Sequence, residues 1–204
     1  MKRRRKEKPA YVVLLANVGT SDVQVSDVKV LKEAGFNFNL GLIERPRING
    51  KALLDKYDQV EAGLDAPILR PVIEYLINNQ IHPKIDLVIL FCTDQPKPNE
   101  GSQSAQYWEN DTLYFGQILA KLLTNRFKSQ IGRVQVETIN FNPASYDLMN
   151  DYFRENLSKF VPEGTKWVIL SLAGGTPASN WALLFNSLKF FRYKCNCLYT
   201  LRNG

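Results

Sequence analysis

Histidine is nearly missing from this sequence. Among 204 residues there is one His (His82) and three Cys (Cys92, Cys195 and Cys197), too few for a histidine-rich metal centre or a disulfide framework. Cys195-Asn-Cys197 puts two thiols on one face of a strand, but no further Cys or His cluster stands ready to complete a tetrahedral site. Structural roles in a reducing compartment are expected for all three. His82 precedes an apolar strand and so falls at the amino end of a sheet. A surface or helix-end residue is expected there, and neither a His-dependent triad nor a metal site. No metal and no cofactor are expected.

Long apolar runs are absent too. Nothing approaches the roughly 20 residues that span a bilayer, and the Lys/Arg-rich start has no long apolar region and cleavage site behind it. A soluble, cytoplasmic protein is expected, with no membrane partner. Neither Gly-x-Gly-x-x-Gly nor Gly-x-x-x-x-Gly-Lys-Ser/Thr occurs, which removes the main support for a dinucleotide oxidoreductase or a nucleoside triphosphatase. Excess basic charge is also scarce once located. Residues 1–8 hold six Lys or Arg against Glu7, which accounts for +5 of the formal +6 and leaves +1 for the rest. Residues 1–10 therefore read as a basic, disordered leader, with nucleic-acid contact through Lys2 to Lys8 as the other reading.

What is present is a regular alternation. Apolar runs at 11–16, 85–92 and 134–141, from Trp167, and at 195–201 read as strands. Between them lie helical patterns: Ile68, Leu69, Val72, Ile73, Leu76 and Ile77; a long stretch over 107–127; another over 146–160; and one after Pro177. Near-continuous apolar strands suit a sheet covered on both faces. The expected fold is α/β, Rossmann-like, a mostly parallel sheet with helices on both faces, in one domain over 11–204. Residues 23–64 read poorly, as irregular or short paired elements beside the main sheet.

In such a sheet, ligands bind beyond the carboxyl ends of the strands. Four turns qualify: 17–22, 93–95, 140–143 and 173–180. In the last, a strand runs into Gly174-Gly175, Thr176 suits an N-cap and Pro177 the first helical position. Backbone N–H groups and small hydroxyls at such a junction form a site for a phosphate or other anion. The candidate ligand contacts are Asn17, Gly19, Thr20, Ser21, Asp22, Thr93, Asn142, Gly174, Gly175, Thr176, Pro177, Ser179 and Asn180. Acids and bases are few. Asp22 and Asp94 lie on neighbouring loops, where an acid pair and plain turn formation are the two readings, the second preferred.

The early Asn-Val-Gly-Thr-Ser-Asp turn and the late Ser-Leu-Ala-Gly-Gly-Thr-Pro-Ala-Ser-Asn turn, in this order on this strand pattern, resemble the CRISPR-associated Rossmann fold (CARF) family, in particular the sensor domains of type III CRISPR accessory ribonucleases. The resemblance implies a homodimeric sensor for cyclic oligoadenylate in antiviral defence. It also implies, for some members, a metal-independent ring nuclease that uses the ligand's own 2′-hydroxyl, for which Asn17, Ser21 and Thr176 are the candidate positioning groups. Many relatives carry Lys after the Gly-Thr, where this chain has Pro177. The Arg-x4-6-His motif expected of the ribonuclease effector is not formed around His82, since Ile77-Asn-Asn-Gln-Ile-His82 supplies no Arg. A sensor with no separate ribonuclease domain in this chain is expected, its effector lying elsewhere or in a longer protein. For the dimer, the helix after Thr176 displays Trp181, Leu184, Phe185 and Leu188 over more than one face, part for the sheet and part for a partner, or all for the core.

Overall fold

The computed structural model describes residues 11–99 and 105–199. The basic leader expected at 1–10 and the end of the chain from residue 200 lie outside the described residues. In chain order the elements are β1 (Tyr11–Asn17), β2 (Gln24–Val25), α1 (Val28–Glu33), β3 (Gly41–Leu42), α2 (Pro46–Asp55), α3 (Tyr57–Val60), a short 3-10 turn (Glu61–Gly63), β4 (Leu64–Asp65) and α4 (Leu69–Asn78). They continue as β5 (Ile85–Thr93), α5 (Ala105–Glu109), α6 (Leu113–Arg126), β6 (Ile131–Ile139), α7 (Tyr146–Phe160), β7 (Thr165–Ser171), α8 (Pro177–Phe191) and β8 (Cys195–Leu198).

The main sheet has the order β6-β5-β1-β7-β8, with every neighbouring pair parallel. The chain builds outward from β1 through β5 to β6, then returns to the other side of β1 for β7 and β8. The direction of winding therefore reverses between β1 and β7, the junction where an open α/β sheet leaves a crevice. Here Ala16 stands beside Leu90 on one side and Ser171 on the other.

Alternation along β1 divides the core. Val13 and Leu15 join Leu87, Ile89, Phe91 and Leu170 against Met149, Phe153 and Leu157 of α7 and Ala182 and Leu183 of α8. Val12, Leu14 and Ala16 join Val88, Leu90 and Cys92 against Ile73 and Leu76 of α4 and Phe115, Ile118 and Leu119 of α6. Both faces are covered, which is why β1 and β5 are apolar almost without a break. The fold is the Rossmann-like α/β arrangement expected from the sequence.

Residues 23–64 form a small antiparallel sheet of order β3-β2-β4 with α1, α2 and α3. Its strands are two residues long, too short for a period of two to be read. Gly50 brings α2 against α6, since a Cβ there would lie 3.0 Å from the Phe115 ring.

Three expectations are corrected. The helix read over 107–127 is broken: α5 stops at Glu109, α6 starts at Leu113, and Asn110-Asp111-Thr112 turns between them, where Asp111 is bound by Arg47 and Gln95 and Thr112 by Thr93. The third strand lies at Ile131–Ile139, earlier than read. His82 does sit at a helix end, its N–H donating to Leu76 O, but it is not on the surface. It is 8% exposed and its ring lies 5.7 Å from that of Trp167, and burial pulls its pKa below the usual value.

Candidate functional site

The turns after β1 and β7 are packed onto each other. A Cβ at Gly19 would lie 2.7 Å from Gly175 N, one at Gly175 would lie 2.6 Å from Asn17 Cβ, and one at Gly174 would overlap Asn17 O. Gly175 also has φ +74°, which favours glycine. The glycines therefore admit one turn to the other, a reason different from the close ligand approach that the sequence suggested. Asp22, 1% exposed, accepts from Gly19 N–H at 2.7 Å and closes the first turn. Asp22 and Asp94 do not form an acid pair, since Asp94 is bound to Arg47.

Across this junction the amides of Asn17 and Asn180 are oriented by what surrounds them. Asn180 Nδ2 donates to Leu172 O (2.9 Å) and Gly174 O (2.6 Å), so its Oδ1 must face the other way, where it accepts from Asn17 Nδ2 at 2.9 Å. Asn17 Oδ1 is thereby turned aside. It is buried, with Asn17 only 3% exposed, and has no hydrogen-bond partner. An unpaired buried acceptor is costly, and Asn17 lines a cavity.

That cavity has a volume of about 270 Å³ and sits over the carboxyl ends of β1, β5 and β6. Of the residues singled out from the sequence it gathers Asn17, Gly19, Thr20, Thr93, Asn142, Gly175, Thr176 and Ser179. Pro177 and Asn180 line a second, shallower cavity of about 460 Å³ beside Trp181 and Tyr199, which meets the first at Gly175. Ser21, Asp22 and Gly174 line neither. Several of the gathered groups already have partners. Thr176 caps α8 reciprocally with Ser179 and donates its hydroxyl proton to Pro143 O at 2.5 Å, which joins the turn after β6 to the turn after β7. Thr93 N–H donates to Thr112 Oγ1 (3.1 Å) and Thr112 N–H to Thr93 Oγ1 (3.0 Å). Asn142 Oδ1 accepts from Ala144 N–H.

Of the remaining wall, Val18, Gln95 and Pro143 fall within the turns read from the sequence, and the rest was not read as part of the site. Phe91 and Ile139 supply apolar floor, Gln95 comes from the segment after β5, Tyr107 from α5, and Asn110, Asp111 and Thr112 from the break between α5 and α6. The run Asn110-Asp111-Thr112 of three cap-forming residues was the available signal for that break. One arginine organises this wall. Arg47, at the start of α2, binds Asp94 (2.6 Å) and Asp111 (2.7 Å) through Nη2, donates from Nε to Trp108 O (3.1 Å), and lies 4.5 Å above the Trp108 ring. Asp111, whose side chain is 1% exposed, also accepts from Gln95 N–H and Nε2 at 2.8 Å each. Its charge is thus neutralised inside the wall.

Chemically, the cavity offers an apolar floor, one orphaned amide oxygen, and a rim of hydroxyls and backbone. Among the described residues that line it there is no Lys, Arg or His. Cys92, buried below it, is held as the thiol, its pKa pushed up by burial and then by the charge of Asp22. Such a surface suits binding of a polar organic ligand more than acid–base chemistry. Among the described residues no group of three or more His, Cys, Asp or Glu is placed to hold a metal ion, and no helix is long and apolar enough to cross a membrane.

No family model matches the sequence, and no curated protein matches it. Among solved structures the chain is similar to Enterococcus italicus Csm6 bound to cyclic hexa-2′-fluoro-hexa-dAMP, with a TM-score of 0.46 and 14% identity, covering 95% of this chain and 34% of that one. The chain spans about a third of the length of that protein.

Proposed function

We propose that this chain is a cyclic oligoadenylate sensor of the CRISPR-associated Rossmann fold kind. The carrying observation is the orphaned Oδ1 of Asn17, a buried acceptor at the β1–β7 switch with no partner within the protein, in a residue that lines the first cavity. A ribose hydroxyl or an adenine amine supplies a donor. The backbone at Gly19 and Gly175, with Thr20 on the rim, meets the phosphates. The first cavity, at about 270 Å³, is just below the roughly 300–1,000 Å³ that enclose a drug-sized ligand. One chain therefore encloses a fragment of the ring, and the rest runs over Gly175 toward the second cavity.

A two-fold homodimer would present the same turns twice to a ring with an even number of units. On α8, Trp181 (47% exposed) stacks on Phe185 (50%) with ring centroids 5.2 Å apart, and Leu188 is 47% exposed. This apolar face supports dimerisation beside the second cavity. Calorimetry with cyclic tetra- and hexa-adenylate tests the reading, and absence of binding to both at micromolar concentrations would refute it.

The same orphaned oxygen favours a second reading, a slow ring nuclease without a metal. Asn17 Oδ1 would accept from the attacking 2′-hydroxyl and hold it in line with the scissile phosphate, a catalytic contribution through positioning alone. Of the other candidates, Thr176 has its hydroxyl proton directed to Pro143 O. Linear products ending in a 2′,3′-cyclic phosphate, formed in EDTA, would establish cleavage; an intact ring after long incubation would leave sensing alone.

A further inference from the structure

A third cavity, about 420 Å³, adjoins the first and shares Thr20 and Asn110 with it. It is walled by Leu42 and Ile43 from the small sheet, by Glu44, Arg45 and Pro46 leading into α2, and by Glu109 at the end of α5. Among the described residues lining the three cavities, Arg45 is the one cation.

Arg45 is built into place. Its backbone has φ +50° and ψ +62°, a left-handed conformation that is costly for a residue with a Cβ. It stands at the N-cap of α2 without capping through its side chain, while its carbonyl accepts from Ile48 and Asn49 N–H at 3.0 Å each. The side chain is left to reach across the cavity. Nε and Nη2 donate to the two carboxylate oxygens of Glu109, both at 2.8 Å. Two parallel N–H···O bonds are the geometry in which a guanidinium also holds a phosphate.

The neighbouring arginine is different. Arg47 has a side chain 14% exposed, closed in by Asp94, Asp111 and Trp108. The Arg45 and Glu109 side chains are 54% and 32% exposed, and an ion pair so open to water adds little stability. A ligand anion can take the place of Glu109 at small cost.

We propose that Arg45 is the phosphate-binding cation of this protein, and that Glu109 holds its guanidinium fork until a ligand phosphate displaces the carboxylate. The ligand class is an oligonucleotide phosphodiester reaching from the first cavity past Thr20 and Asn110. Glu109 therefore competes with ligand: it keeps the fork ordered and sets the affinity threshold. The identity of the ring rests on the sensor reading above; the role of Arg45 requires only a phosphate-bearing ligand.

The two residues should act in opposite directions. Wild type, Arg45→Gln and Glu109→Gln are titrated with cyclic tetra-adenylate, cyclic hexa-adenylate and a linear 5′-phosphorylated triadenylate, with thermal melting to verify folding. Arg45→Gln should weaken binding about tenfold, the loss of a charge-assisted hydrogen-bond pair, and flatten its salt dependence. Glu109→Gln should tighten binding about threefold or more, by removing the competitor. A merely structural tie between α2 and α5 predicts that both substitutions weaken binding alike. If a ring binds and the two variants fail to diverge, the sensor reading stands and the role of Arg45 falls. If no ring binds but the linear probe does, with opposite shifts, the role of Arg45 stands and the ring assignment falls. If no probe binds, both are overturned.

Discussion

Asn17 and Asn180, 163 residues apart in sequence, share one hydrogen bond across the switch of the sheet: Asn17 Nδ2 donates to Asn180 Oδ1 at 2.9 Å. The bond ties β1 to the start of α8. Because Asn180 Nδ2 is already held by Leu172 O and Gly174 O, the direction of the bond is determined, and Asn17 Oδ1 is left buried without a partner.

Replacing Asn180 by Leu removes the donor for both carbonyls and the acceptor for Asn17. The expected loss is about 1–3 kcal/mol of folding stability for the polar groups left unmatched, seen as a lower urea midpoint with an unchanged slope. Asn17→Ala should instead show mainly in ligand binding, because it deletes the unpaired buried acceptor; unchanged affinity for a ring or linear adenylate would remove Asn17 from the site.

Gly175→Ala sets a Cβ at φ +74° and 2.6 Å from Asn17 Cβ. The left-handed conformation alone costs about 1–2 kcal/mol, and the collision adds to it. Chemical denaturation should show a loss of at least that size. A neutral result would mean that the two turns are less closely packed than described.

Arg47→Met leaves the Asp111 carboxylate, 1% exposed, without its cation. Removing one partner of a buried pair costs about 3–5 kcal/mol, and the two Gln95 bonds to Asp111 set the expectation at the lower end. Lys should not restore the loss, since it has neither a planar fork nor the face that stacks on Trp108. Denaturant titrations of the three proteins decide this.

His82 gives a pH dependence with a definite sign. Burial holds its pKa below the ordinary 6.5, so below about pH 6.5 the unfolded chain binds a proton that the folded chain resists. Stability falls as pH drops through that value, until the folded imidazole itself protonates. His82→Phe should lose less stability than wild type between pH 7.5 and 5.5 in matched urea titrations. Equal losses would show that His82 titrates alike in both states.

The exposed face of α8 bears on assembly. Light scattering should give about twice the 23.3 kDa chain mass, and a Trp181→Ser, Phe185→Ser double variant should give 23.3 kDa with its melting temperature preserved. A monomeric wild type would remove the dimer proposed here.

How much of this was open to reading from the sequence depended on the range of the interactions. Helix α7 was placed at 146–160 and found there, because a serine N-cap and a helical apolar period are contained in the segment itself. The Thr176 cap and Pro177 start of α8 were likewise readable, because the capping partners Thr176 and Ser179 lie three residues apart. The break between α5 and α6 was missed because Thr112 caps nothing locally; its hydroxyl goes to Thr93, 19 residues away. His82 was read as a surface or helix-end residue, and its burial was missed because its cover, Trp167, comes from the distant strand β7.

The sequence by itself determined the alternation of apolar strands and amphipathic helices, hence the parallel layered sheet, and it determined that polar, glycine-bearing turns follow β1 and β7. It could not determine how those turns meet. That Gly19, Gly174 and Gly175 make room for the opposite turn, that Asn17 is left with an unsatisfied oxygen, and that Arg47 is closed in while Arg45 stands open were decided by the tertiary structure. The physical reason is distance along the chain. Local periodicity and capping are short-range and act before the fold exists, whereas hydrogen-bond partners and ion pairs 47 to 163 residues apart are selected only when the sheet has brought its strand ends together.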